Sequence, residues 1–246
     1  MKGDLSARTR QIPAGGSEEI EAYAASPADE TARGGVVVIH HLPGYDRGTK
    51  EMTLRFAAIG FDAVCPNLYW RQAPGADPDD ASAAVRASGG IADEQLVGDV
   101  ASAAAYLRSL PHSNGKVGVI GHCSGGRQSV LAACRLDLDA AVDCYGAYVV
   151  GQPVADFPIT VTPLYDDLPN LSCPLLGLFG NDDSHPSPEQ VRELESLLRE
   201  QGKDFEHRSY DGAGHAFFAV DRPSYRVDAA ADGWRRIESF FNRHLS

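Results

Sequence analysis

The segment Gly121-His122-Cys123-Ser124-Gly125-Gly126 sets a cysteine on a glycine-flanked turn between the β-branched run KVGVIG at 116–121 and the helically spaced SGGRQSVLAACR at 124–135. A strand-to-helix turn of this G-x-C-x-G-G form holds its central residue in strained geometry. The glycines keep the neighbouring chain from clashing there. A residue so placed can act as a nucleophile. The helix behind Cys123 offers its N-terminal dipole to charge developing on the sulfur, and the Ser124 amide points to where an oxyanion would form. A cysteine on such a turn can also be a buried structural residue, so the chemistry depends on partners. After PLLGLFG at 174–180 comes Gly180-Asn181-Asp182-Asp183, and after DFEHRSY at 204–210 comes Asp211-Gly212-Ala213-Gly214-His215. Taken singly, an aspartate past a strand caps a turn and a loop histidine is solvated. In the order nucleophile, acid, histidine, each past the end of a strand, they supply a thiol, its imidazole base and a carboxylate to orient that base. Only one of Asp182 and Asp183 can face the imidazole; the other caps the turn.

These positions need a scaffold that brings strand ends together, and the rest of the chain predicts one. VVVIHH at 36–41 and FDAVCP at 61–66 read as strands buried on both faces, separated by a helix over 49–59 that stops at Gly60. A long loop rich in Pro, Gly and Asp follows. In 93–110, Leu96, Val100, Ala103, Ala104 and Leu107 share one helical face. Strands are expected at 116–121, 139–145, 174–180 and 204–210, and helices at 124–135, at 188–201 and within 224–244, where Trp234, Ile237, Phe240 and Phe241 mark the buried side. The stretch after 139–145, up to about residue 170, carries four prolines and reads as irregular. Alternation of this kind means βαβ crossovers and an α/β fold, with a mainly parallel central sheet and helices on both faces. Ligands then bind outside the carboxyl ends of the strands. Candidates for the substrate pocket are accordingly His41, Tyr69, Trp70, Arg71, Tyr145 and Phe217.

From about residue 34 to its C-terminal end the chain resembles the dienelactone hydrolase family (carboxymethylenebutenolidases) of the α/β-hydrolase fold. The likeness rests on CPNLYWRQAPG at 65–75, SNGKVGVIGHCSGG at 113–126, FGNDDSHPSPEQ at 179–190 and YDGAGHAFF at 210–218. The resemblance implies that Cys123 is the nucleophile, that Asp183 rather than Asp182 orients His215, and that the amides of Leu42 and Ser124 form the oxyanion hole. It implies hydrolysis of a carboxylic ester or lactone through a thioester, with neither metal nor organic cofactor. Two departures stand out. The family commonly carries a glutamate at the end of the first strand, where this chain has His40-His41; a cationic His41 would hold the sulfur as thiolate. The family's dienelactone enzymes carry an arginine a few residues after the histidine, whereas here Ala216-Phe217-Phe218-Ala219 follows and no arginine comes before Arg222. Arg71 and Arg86, near the pocket loop, are the candidates to grip a substrate carboxylate instead, with a structural role in its family-like segment the alternative for Arg71. A thioesterase or acyltransferase on the same triad, or a non-catalytic relative that only binds, are the rival readings.

Composition bounds the partners. The 246 residues are expected to form a single domain, residues 1–33 adding an extension and an edge strand to a core over 34–246. A formal net charge of −12 with no basic block argues against nucleic acid or an anionic membrane surface as partner. The opening residues lack the apolar stretch of a secretory signal, and no apolar run reaches the ~20 residues of a membrane span. The five cysteines at 65, 123, 134, 144 and 173 form no CxxC pair. Reduced thiols, a cytoplasmic location, a small-molecule ester or lactone as substrate, and a monomer or small homo-oligomer are the expectations.

Overall fold

The computed structural model describes residues 4–14 and 18–246. The chain opens with β1 (Leu5–Pro13) and β2 (Glu19–Pro27), antiparallel neighbours with Leu5 opposite Pro27. Two strands stand where one edge strand was expected. β2 buries alternate residues such as Ile20, Ala22 and Ala24 and lies antiparallel to β4 (Asp62–Pro66), while β1 covers its outer side with an exposed, polar sequence that carries almost no strand signal. β3 (Arg33–Ile39), β5 (Ser113–His122), β6 (Ala140–Cys144), β7 (Leu175–Gly180) and β8 (Phe205–Tyr210) complete an eight-stranded sheet in the order β1-β2-β4-β3-β5-β6-β7-β8. From β4 to β8 all pairings are parallel.

Both faces of the sheet are covered, as the unbroken valine run of β3 requires. Val37 and Ile39 belong to one core with α3 (Asp93–Arg108), α4 (Ser124–Arg135) and α5 (Pro188–Glu200). Val36 and Val38 belong to the other, with α1 (Arg47–Ala58) and α6 (Val227–Leu245), whose Trp234, Ile237, Phe240 and Phe241 are all buried. The helix α2 (Pro78–Ala87) lies in the stretch expected to be a loop. Pro78 there sits in the first helical turn, where its missing N–H costs nothing, and Asp79 and Asp80 face the positive end of the helix dipole. The residues that suggested a loop are thus those that start a helix.

β3 lies between β4 and β5, so the chain runs outward from it in opposite directions. A crevice opens at such a switch point outside the strand ends. The loop after β3 carries His41 and Leu42, and the turn after β5 carries Cys123. No helix of the structure is long and apolar enough to cross a membrane, and none of the five cysteines is bonded to another.

Candidate active site

Cys123, between β5 and α4, has φ 56° and ψ −124°, a left-handed conformation that costs a side-chain-bearing residue of order 1–3 kcal/mol. Its surroundings hold it there. The Cys123 amide donates to the Cys144 carbonyl at 3.0 Å. A Cβ on Gly121 would stand 1.9 Å from the Gly125 carbonyl oxygen, and one on Gly125 would stand 2.6 Å from that of Ile39. The two glycines therefore let strand, turn and helix approach to distances that no other residue permits. Gly126 is equally constrained: its Cβ would fall 2.3 Å from Asp143 Oδ1, the atom that accepts from the Gly146 amide at 2.7 Å. Ser124 is the first residue of α4, so its N–H has no acceptor within the helix.

His215 reaches the sulfur from the loop after β8. Its Nδ1 lies 2.8 Å from Asp183 Oδ2, and the other oxygen of Asp183 accepts from the His185 amide at 2.9 Å. Asp183 is buried, whereas Asp182 is exposed and its backbone N–H donates to the Ala213 carbonyl at 2.9 Å. Of the two aspartates only Asp183 thus meets the imidazole. Burial opposes charge on His215, but the hydrogen bond with Asp183 and the attraction of Cys123 and Asp183 outweigh it, raising its pKa to about 10. With Nδ1 on Asp183, Nε2 is the nitrogen left for Cys123.

Two cavities meet at Cys123. One of 150 Å³ is lined by His41, Met52, Tyr145, His215, Phe218 and Arg222 among others. The other, of 240 Å³, is lined by Tyr69, Ser124, Tyr148, Phe157, Ile159 and others, and Leu42 belongs to both. Past His41, Met52 and Arg222 the smaller cavity adjoins an outer groove of 280 Å³. The Tyr145 ring stands edge-on to His215 at 5.2 Å.

Of the pocket candidates, His41, Tyr69 and Tyr145 line these cavities and three do not. Arg71 is tied to both carboxylate oxygens of Asp99, at 2.8 and 3.0 Å, and to Glu18 at 2.8 Å; it anchors its loop to α3 and the start of β2. Trp70 packs against the core of the α3–α5 face. Phe217 is fully buried among Tyr145, Tyr210 and Phe218, and its neighbour Phe218 faces the cavity instead. Which of two adjacent phenylalanines lines a pocket depends on a turn with Ala216 at φ 62°, which no periodicity reveals.

A cationic His41 is also not what the structure favours. Burial lowers its pKa, against the pull of Asp46, whose carboxylate lies 3.4 Å from Nε2, so the neutral ring dominates near pH 7. Its neighbour His40 is buried as well: Nε2 accepts from the Leu68 amide at 3.1 Å, and burial takes its pKa to about 4. The cations at the cavity rims are Arg222 and Arg86, both exposed. Met52, His122, Phe218 and Gln128 also line the cavities without having been singled out from the sequence. Of these only His122 carried a signal, its place beside Cys123.

The chain matches the family model described as the dienelactone hydrolase family over residues 20–245. It is 33% identical to a provisionally named carboxymethylenebutenolidase of Yersinia pestis, over 95% of this chain and 86% of that protein. It is 32% identical to the carboxymethylenebutenolidase of Pseudomonas putida, over 80% of each. Among solved structures, a provisionally named dienelactone hydrolase from Klebsiella pneumoniae superposes with a TM-score of 0.86 at 28% identity, over 98% of this chain and 100% of that one.

Proposed function

The chain belongs to the dienelactone hydrolase family, a hydrolase acting on lactone or ester substrates, and we propose that Cys123, His215 and Asp183 carry that reaction through a thioester. The observation that carries the reading is the convergence of three groups from three separate loops: a cysteine in left-handed geometry at a helix N-terminus, an imidazole that lines the same 150 Å³ cavity, and a buried carboxylate 2.8 Å from Nδ1 of that imidazole.

In the mechanism so proposed, His215, kept protonated by its raised pKa, holds Cys123 as a thiolate, and the sulfur attacks the substrate carbonyl. The Sγ–C bond forms, and the amides of Leu42 and Ser124 receive the oxyanion. His215 then gives its proton to the leaving oxygen as the C–O bond breaks. Water replaces the alcohol, gives a proton to His215 and splits the thioester at the C–S bond, which restores the thiolate–imidazolium pair. Asp183 keeps Nδ1 protonated throughout, so that Nε2 does the proton transfer. An anionic substrate would meet Arg222 on one rim and Arg86 on the other. Cys123→Ala is expected to abolish hydrolysis of nitrophenyl acetate while leaving circular dichroism unchanged, and wild type quenched in acid during turnover should carry the acyl mass on Cys123. Undiminished turnover by the alanine variant would remove the cysteine from the mechanism.

A further inference from the structure

A tetrahedral carbon bonded to Cys123 Sγ has three other substituents, and the cavity walls give each a direction. The oxyanion goes to the amides of Leu42 and Ser124. The leaving oxygen goes to His215, which must protonate it. His215 lines the 150 Å³ cavity and not the 240 Å³ one, whereas Ser124 lines the larger and not the smaller. The third substituent is the acyl chain, and the larger cavity is what remains for it. We propose, on the strength of the Cys123–His215 reading, that the 240 Å³ cavity is an acyl-binding site selecting apolar acyl chains of medium length, while the leaving group lies along the His215–Arg222 side.

The cavity is built rather than left over. Its roof is the irregular segment after β6, held in place at several points. Tyr148 adopts φ 63° and packs its ring edge-on to Phe157 at 4.9 Å. The Thr160 amide donates to the Gly89 carbonyl at 2.9 Å, which joins the roof to the end of α2. Beside that bond Gly90 has φ +104°, and a Cβ there would come within 3.3 Å of Ile159 Cβ. Arg127 grips Asp93 with both terminal nitrogens, at 3.0 and 2.9 Å, and the Thr162 carbonyl at 2.6 Å, so these charges in the wall are already partnered. Val85, Ile91, Phe157, Ile159 and Val161 supply apolar surface. The leaving-group side differs in kind, because its 150 Å³ cavity adjoins the 280 Å³ outer groove and so sets a weaker limit on size.

The test holds the leaving group constant and varies the acyl chain, using nitrophenyl acetate, butyrate, hexanoate and dodecanoate. For the wild type, kcat/KM should rise at least tenfold from acetate to hexanoate and fall again at dodecanoate. Ile159→Trp, which fills the cavity, should lower the hexanoate-to-acetate ratio at least tenfold. Phe157→Ala, which enlarges it, should move the optimum to a longer chain. Ala219→Trp, on the His215 side, should depress all four esters by a similar factor. Cys123-dependent turnover without chain-length preference would overturn the acyl assignment alone. So would a ratio that responds to Ala219→Trp and not to the roof variants. Turnover of every ester that is indifferent to Cys123→Ala would overturn the catalytic reading together with it.

Discussion

Asp183 lies 6% exposed with one carboxylate oxygen on His215 and the other on the His185 amide, whereas Asp182, one residue earlier, faces solvent. Asparagine at 183 keeps the size but presents an amide that can turn an N–H toward Nδ1, leaving the ring in the wrong tautomer. Asp183→Asn should therefore lower kcat by about 10²–10⁴-fold, the usual range for disabling general acid–base chemistry. Asp182→Asn should change it little. Steady-state kinetics of the two variants decide between the carboxylates, and a reversed order would transfer the role to Asp182. The same imidazole links folding to pH. Its pKa of about 10 in the folded state stands above the 6.5 of a free imidazole, so the folded protein binds the proton more tightly. That stabilisation is full below about pH 6.5 and is lost as pH rises through about 10. His215→Gln should flatten the alkaline limb of thermal stability measured from pH 6 to 10, and a limb as steep as in wild type would contradict this.

The turn between β5 and α4 depends on glycine for a reason that can be isolated. A methyl group on Gly121 would meet backbone atoms of Gly125 at 1.9 and 2.1 Å, and backbone cannot swing aside as a flexible side chain would. Gly121→Ala should cost about 1–3 kcal/mol or more by overpacking and should also lower turnover, since the strain relaxes by moving Cys123. Gly98, within α3, has nothing within 4 Å of its added Cβ. Gly98→Ala should raise stability by up to about 1 kcal/mol through helix propensity, with turnover unchanged. Denaturant unfolding and kinetics on both variants would show whether clash or mere loss of glycine matters. At the same scale, α2 shows how a local signal is read wrongly. Proline and aspartate suggest a loop by composition, yet Asp77-Pro78-Asp79-Asp80 places both types where a helix start accepts them.

Across the whole molecule the two cores carry unequal kinds of packing. The α1–α6 side is aromatic: Phe56 meets both Trp234 and Phe241, and Phe61 meets Phe241, at ring separations of 5.5–6.1 Å. A Cβ on Gly118 of β5 would lie 2.8 Å from the Phe241 ring, so this side chain lies directly against the strand that leads into Cys123. Phe241→Ala should cost about 3–5 kcal/mol, as for other fully buried aromatics, measured by denaturant unfolding. Since Phe241 is remote from the cavities, KM of the folded fraction should stay near the wild-type value. A cost under about 1 kcal/mol would mean that neighbouring rings refill the space.

By itself the sequence determined the alternation of strands and helices, the parallel sheet, and the loops that hold Cys123, the Asp182–Asp183 pair and His215. Each rests on short-range regularities: hydrophobic period, glycine at a turn, a polar residue just past an apolar run. Tertiary structure decided what depends on direction. Asp183 rather than Asp182 faces His215, Phe218 rather than Phe217 faces the cavity, and Arg71 is drawn to Asp99 and Glu18. It also assembled the 240 Å³ cavity from α2, the loops after β3 and β4, the turn at Cys123 and the roof after β6. No local pattern encodes that cavity, because its walls meet only when the sheet brings the ends of β3 and β5 side by side, and adjacent residues point to different sides according to backbone angles set by the completed fold.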